Sequence, residues 1–237
     1  DAVTADKLAN AINTSIAAKA PLASPVFTGN VSHGDNVKAK FGTGNDLEIF
    51  HDGSHSRIKD VGTGHLVLSG GEVHFNNSDN TSNHLVINSA GIVTKPLQPA
   101  FLATKTSTSS NAAINTDHTV LFPTEVYDQN SDFSSNTFTA PVTGKYLLTA
   151  SLRLDQVDEA ANYYLLGIIG SNRSFREMWN PGGITDNDSY HTLQVSGLLD
   201  MDANDTAIVR FNQNAGNPQV DQDGNAEMSY FCGHLVC

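Results

Sequence analysis

Eight runs of alternating apolar and polar residues, divided by turn-rich connections, occupy residues 100–237 and confine that part of the chain to β-structure. They span 100–106, 119–128, 136–142, 144–155, 161–171, 189–201, 206–213 and 228–236. A period of two sends one side of each strand to a core and the other to solvent. Two antiparallel sheets packed face to face, a β-sandwich of jelly-roll type, are therefore expected. Within 144–155, Tyr146, Leu148 and Ala150 point one way and Leu147, Thr149 and Ser151 the other, so one of these sets should meet the second sheet.

The first hundred residues read differently. Over 4–20, Leu8, Ile12 and Ile16 recur every fourth residue behind a Thr4 cap, and Asp6 sits where the helix dipole favours a negative charge. A helix of about 17 residues is marginal alone in water, so its stripe needs partners, and three copies around an axis would supply them. Pro21 ends it. Residues 37–93 repeat loosely: FGTGNDLEI (41–49) and VGTGHLVL (61–68) share Gly-Thr-Gly before alternating apolar residues. Short strands are expected around Leu47 and Ile49, Leu66 and Leu68, Val73 and Phe75, and Leu85 and Ile87. Each buries one narrow stripe, too little for a monomeric core, so three intertwined chains are expected here also. The resulting division is a helical coiled coil and linker over 1–30, a β-rich intertwined shaft over 31–98 and a head over 99–237.

Charge separates the parts further. Residues 1–99 hold 7 Lys and Arg against 9 Asp and Glu, whereas 100–237 hold 6 against 16. A head this acidic repels phosphate backbones, which argues against nucleic acid as a partner. No apolar run approaches the length of a membrane span. The opening residues read as those of a fragment of a longer polypeptide. Cys232 and Cys237 have no CxxC spacing around them, and five residues apart on one strand they face opposite sides. Two reduced thiols, or a link between neighbouring chains, are the readings left. No G-x-S-x-G, HExxH or P-loop is present, and no carboxylate pair is singled out for glycoside hydrolysis, so no enzyme is expected.

Specific strings carry resemblances. PLASPVFTGNV (21–31) resembles a sequence that recurs in phage tail fibres at junctions between shaft modules. FGTGNDLEIFHDGSHSRIKDVGTGHL resembles fibre and adhesin sequences of marine phages and bacteria. FTAPVTGKYLLTASL (138–152) is similar to the core signature of the complement C-one-q globular head, whose superfamily includes tumour necrosis factor. LLDMDANDTAIVRF (198–211) resembles the family's paired strands, with Asn204 in place of a glycine, and SYFCGHLV (229–236) its closing strand. The resemblance implies tight homotrimers and heads used for binding. The expected function is the distal part of a trimeric viral tail fibre, on the virion, joined to upstream fibre proteins. It would attach to a host cell-surface glycan, lipopolysaccharide or protein. A polysaccharide-degrading tip and a purely structural trimerisation cap are the alternatives.

Function in such architectures concentrates on loops held by a rigid scaffold. Counting strand reversals from the shaft puts 106–118, 142–145, 171–189 and 213–227 at a distal crown, and 128–136, 155–161 and 201–206 at the base. The longest crown loop carries Trp179, which either stacks on a sugar or plugs the sandwich or a subunit interface, with Arg176, Asn180 and Asn187 to orient a ligand. Asp186, Asp188, Asp221 and Asp223 offer oxygens suited to calcium, although DQDGN without a following glutamate is no complete EF-hand loop. No cofactor is required; calcium is the one candidate. His51, in phase with Leu47 and Ile49, would approach a three-fold axis, but no His-x-His pair accompanies it.

Overall fold

In the computed structural model, the described residues are Ile12, 26–184 and 190–237. Of the helix expected over 4–20 only Ile12, itself helical, falls among them; Asp186, Asn187 and Asp188 lie outside. The chain divides into two compact units, Asp1–Ser69 and Gly70–Cys237.

In the first unit β1 (Ala39–Phe41), β2 (Leu47–His51) and β3 (Ser56–Asp60) form an antiparallel meander. The β2–β3 turn is fixed locally: Asp52 accepts the backbone N–H groups of Ser54 and His55 and pairs with Arg57, while Gly53 takes φ +92°. Glu48 is buried and held by Lys38 at 2.8 Å, which lowers its pKa. His51 approaches Ser56 at 3.3 Å. Leu66–Leu68, expected as a strand, is assigned to none, and Val67 lies open to solvent.

The second unit opens with a similar meander, β4 (Val73–Asn76), β5 (Asn83–Ile87) and β6 (Val93–Thr94). Each meander pairs its strands within the chain. Phe41, Ile49, Ile58 and Phe75 stay exposed, so each leaves apolar surface uncovered.

The head follows, and the fold is all-β as expected. Its strands are β7 (Ala100–Thr104), β8 (His118–Thr119), β9 (Thr124–Asp128), β10 (Phe133–Ser134), β11 (Thr137–Thr139) and β12 (Gly144–Asp155). Then come β13 (Tyr163–Gly170), β14 (Ser174–Trp179), β15 (His191–Met201), β16 (Thr206–Asn214), β17 (Asp221–Gln222) and β18 (Tyr230–Leu235). The first sheet runs β15-β12-β18-β7-β9 with β17 on β12, and the second runs β10-β11-β16-β13-β14 with β8 on β16. This is a jelly roll, two antiparallel sheets packed face to face so that the core between them is closed from both sides.

The sequence alternation selects that core. Tyr146, Leu148, Ala150, Leu152 and Leu154 of β12 are buried against Tyr164, Leu166 and Ile168 of β13 and Val209 and Phe211 of β16. Each of the leucine, isoleucine, valine and phenylalanine side chains contributes roughly 1.5–3 kcal/mol on burial. At one end Phe101 stacks on Phe133 and Phe138, with centroids 4.9 Å apart, and meets Phe231 edge-on at 5.0 Å. Tyr146 closes the cluster and donates its hydroxyl to the Val142 carbonyl at 2.7 Å. Gly144, at the start of β12, is needed for space: a Cβ would lie 2.7 Å from Leu235 and 2.8 Å from the Cys237 carbonyl oxygen. Asn204, standing where the resembling family has glycine, takes φ 74° and donates its N–H to the Ala140 carbonyl.

Two strands absent from the sequence reading alter which loops share an end. The end at which Pro99 enters, here the proximal end, gathers 128–132, 140–144, 170–173, 201–205 and the C-terminus. It is tied by Gln129 to Lys95 and Pro96, Lys145 to Cys237, and Asn172 and Arg173 to Asp200. The distal end gathers 105–117, 155–162, 180–184, Tyr190 and 214–228, tied by Ser109 to Gln222, Ala112 to Val220, Gln219 to Gln156 and Asn217 to Asp158. Residues 106–118 and 213–227 are thus distal, and 201–206 and the 128–132 part of 128–136 proximal, as expected, while the turn at Ser135 and Asn136 points away from that end. Residues 142–145 and 155–161 are exchanged. The two-residue strand β10 folds straight back into β11 and inverts the count, and β14, inside the supposed 171–189 loop, restores it.

Candidate functional site

Two surfaces of the head stand out, the distal loops and the outer side of the first sheet. The distal loops are fastened by side-chain to backbone bonds. Asp221 accepts the Asn111 N–H at 2.8 Å and the Gln156 amide at 3.1 Å. Asp158 receives the backbone N–H groups of Ala160 and Asn217, while its own N–H donates to the Tyr164 hydroxyl at 2.8 Å. Burial pushes that phenol up to about 12. Lys105 is buried beneath these loops and donates to Ser109 at 2.8 Å; burial lowers its pKa, and the Asp223 charge opposes that shift.

Asp223 pairs with Arg153 at 3.0 Å, and the Arg153 guanidinium lies 4.0 Å from the centroid of the exposed Tyr190 ring. Arg153 and Tyr190 are thus the solvent-facing constellation of this end, and sequence reasoning passed over both. Arg153 reads as an ordinary polar position on a strand, and nothing local links it to Tyr190.

The residues expected to bind a ligand are dispersed. Trp179 is half-buried on β14, with its ring 5.6 Å from Tyr164 and 3.5 Å from His191 in near-parallel stacks. It packs against the core, the second of the two roles weighed for it. Arg176 is exposed on the opposite side of β14, because positions three apart on a strand face opposite ways. Asn180 is exposed and turns its side chain inward to accept the Gly182 N–H at 2.7 Å. Of the expected calcium ligands, Asp221 and Asp223 have the protein partners named above. Among the described residues no group of three or more His, Cys, Asp or Glu is gathered to hold a metal.

The outer side of the first sheet has another character. Three cross-strand rows follow from the register: Tyr127–Leu102–Cys232–Thr149–Ser196, Ala100–His234–Leu147–Leu198, and Thr104–Tyr230–Ser151–Gln194. No Lys, Arg, Asp or Glu occurs in them, although the head as a whole carries 16 acidic residues. Leu198 is 46% exposed and Tyr127 52%. Cys232 is a half-buried free thiol whose pKa burial raises, and Cys237 is free and exposed. These rows lie between Lys145 and Asp200 at one end of the same side and Arg153 at the other, and an uncharged band that reaches across five strands has the composition of a surface that another protein covers.

Neither a family model nor a curated protein matches the sequence. Among solved structures, the globular domain of zebrafish complement 1qA protein is similar, at 17% identity over 59% of this chain and 98% of that one, with TM-score 0.43. A crystal structure of murine APRIL at pH 5.0 is similar at 14% identity over 59% and 99% of the two chains, with TM-score 0.42.

Proposed function

We propose that this chain is the distal part of a trimeric viral tail fibre, whose head attaches the virion to a glycan, lipopolysaccharide or protein on the host surface. The uncharged band across the outer side of the first sheet carries the proposal. Three copies joined through it would remove Leu147, Leu198 and Tyr127 from water, and closed rotational symmetry would consume that face completely. The outer side of the second sheet and the distal loops would stay available to a receptor. The tail-fibre strings at 21–31 and 41–66 and the exposed apolar residues of the small meanders support the same reading. Attachment through three equivalent heads turns weak single-site binding into firm adhesion. Binding rather than catalysis is proposed, in an extracellular setting at the fibre tip. Calcium is not required for it.

The test exposes the full chain to a glycan array and, in parallel, assays polysaccharide for released oligosaccharides. Retention on the array without release supports attachment. Release with turnover would replace it with a degrading tip, and neither retention nor release would leave a trimerisation cap.

A further inference from the structure

The head contains six basic side chains, and they are not equally occupied. Lys105 is buried, and Lys145 lies by the Asp200 carboxylate. Arg153, Arg173 and Arg210 are each paired, with Asp223, Asp200 and Asp117. Among the described residues no carboxylate pairs with Arg176. In an acidic head, an exposed arginine that no described carboxylate neutralises is the place that most favours an anion.

Arg176 lines a groove of about 220 Å³ on the outer side of the second sheet. The register explains the groove. Gly167, midway along β13, pairs with Arg176 of β14 on one side and with Arg210 of β16 on the other. The two arginines therefore flank a position with no side chain, on strands roughly 10 Å apart. A Cβ at Gly167 would lie 3.1 Å from the Arg176 Cγ, so the glycine lets the arginine stem lie down across β13 toward Arg210. Leu165 and Ile169, two residues to either side of Gly167, supply apolar floor. Beyond Arg210, Asp117 accepts from Arg210 at 3.4 Å and from the Asn212 amide at 3.0 Å, and the Tyr163 ring also lines the groove.

We infer that this groove is a subsite for one acidic sugar unit, its carboxylate or sulfate set on Arg176 and Arg210. Several features select a sugar over a bare anion. Asp117 repels a second negative charge but accepts from hydroxyls, Asn212 offers an amide for either role, and Tyr163 with Leu165 and Ile169 meets the apolar side of a ring. The guanidinium fork suits a carboxylate or sulfate, and the opposed Asp117 limits the ligand to one such group at this end. The volume is below that of pockets for drug-sized ligands, roughly 300–1,000 Å³, and fits a single saccharide unit. This inference rests on the attachment reading and names a ligand class for it, on the side of the head instead of its tip.

The experiment is an array bearing a uronic-acid disaccharide, a sulfated disaccharide and their neutral counterparts, probed with the full chain and with Arg176→Ala, Arg176→Lys and Gly167→Ala. Circular dichroism verifies that each variant is folded. The wild type is expected to retain an acidic probe over its neutral counterpart, and which probe it retains tells carboxylate from sulfate. Arg176→Ala should weaken retention about tenfold or more, as loss of a charge-assisted bond does. Arg176→Lys should restore part of it, and Gly167→Ala should weaken it by lifting the arginine stem. Equal retention by wild type and Arg176→Ala would overturn the inference. So would binding of neutral sugars alone, which leaves attachment intact, and so would no retention at all, which removes glycan attachment with it.

Discussion

At the scale of single residues, the distal end of the sandwich depends on stacked rings. Trp179 lies between Tyr164 and His191 in sequence-distant stacks, and truncation to alanine leaves a cavity at the rim of the core. For a half-buried tryptophan we expect Trp179→Ala to cost about 2 kcal/mol. A fall of about 4–8 °C in Tm would follow for a unit of this size, measurable by calorimetry. His191 adds a pH dependence. Burial holds its imidazole below the ordinary 6.5, partly offset by the Glu177 charge. As pH falls the unfolded chain takes up the proton first, so stability present above pH 6.5 is lost from there down to the lowered folded value. Thermal melts at pH 8 and pH 5 should show this loss in the wild type and a smaller one in His191→Gln. Tyr146→Phe removes the bond to the Val142 carbonyl and should cost about 1 kcal/mol by denaturant titration.

At the scale of elements, the hairpin β10–β11 sets how the chain is threaded. Ser135 and Asn136 both take positive φ, 51° and 64°, in a two-residue loop of the kind that matches strand twist. Asn136 also accepts the Phe122 N–H at 2.6 Å. Asn136→Ala should therefore cost about 2 kcal/mol, and Asn136→Gly less, since glycine keeps the backbone and loses only the acceptor. Equal losses in the two variants, read from urea midpoints, would show that backbone strain plays no part. This hairpin marks the limit of what the sequence discloses. The long strands were legible because Tyr146, Leu148, Ala150, Leu152 and Leu154, and Leu193, Val195, Leu199 and Met201, fall on one parity along each. Ser-Ser-Asn lacks the Asn-Gly signal of a tight hairpin, and β14 places Glu177 where alternation asks for an apolar residue, so both strands escaped notice and loop orientation went astray. The pairing of Arg176 with Arg210 across Gly167 was illegible for another reason: it arises from register between three strands distant in sequence. Gly197 is similar. A Cβ there would lie 2.4 Å from the Phe175 ring, a contact that no local pattern announces.

At the scale of the whole molecule, charge and its absence are partitioned. Carboxylates crowd the loops and the strand ends, while three rows across the first sheet hold none. In the proposed trimer, burying that face between copies would provide the apolar area, and the acidic remainder would discourage further association. The central claim is that this face joins three chains, and the mass of the full chain in solution tests it most directly. Sedimentation equilibrium at micromolar concentration should give three times the 25.3 kDa of one chain, and the double variant Leu147→Glu, Leu198→Glu should shift toward a single chain. A wild type that sediments as one chain of 25.3 kDa, or a double variant that assembles unchanged, would contradict the account.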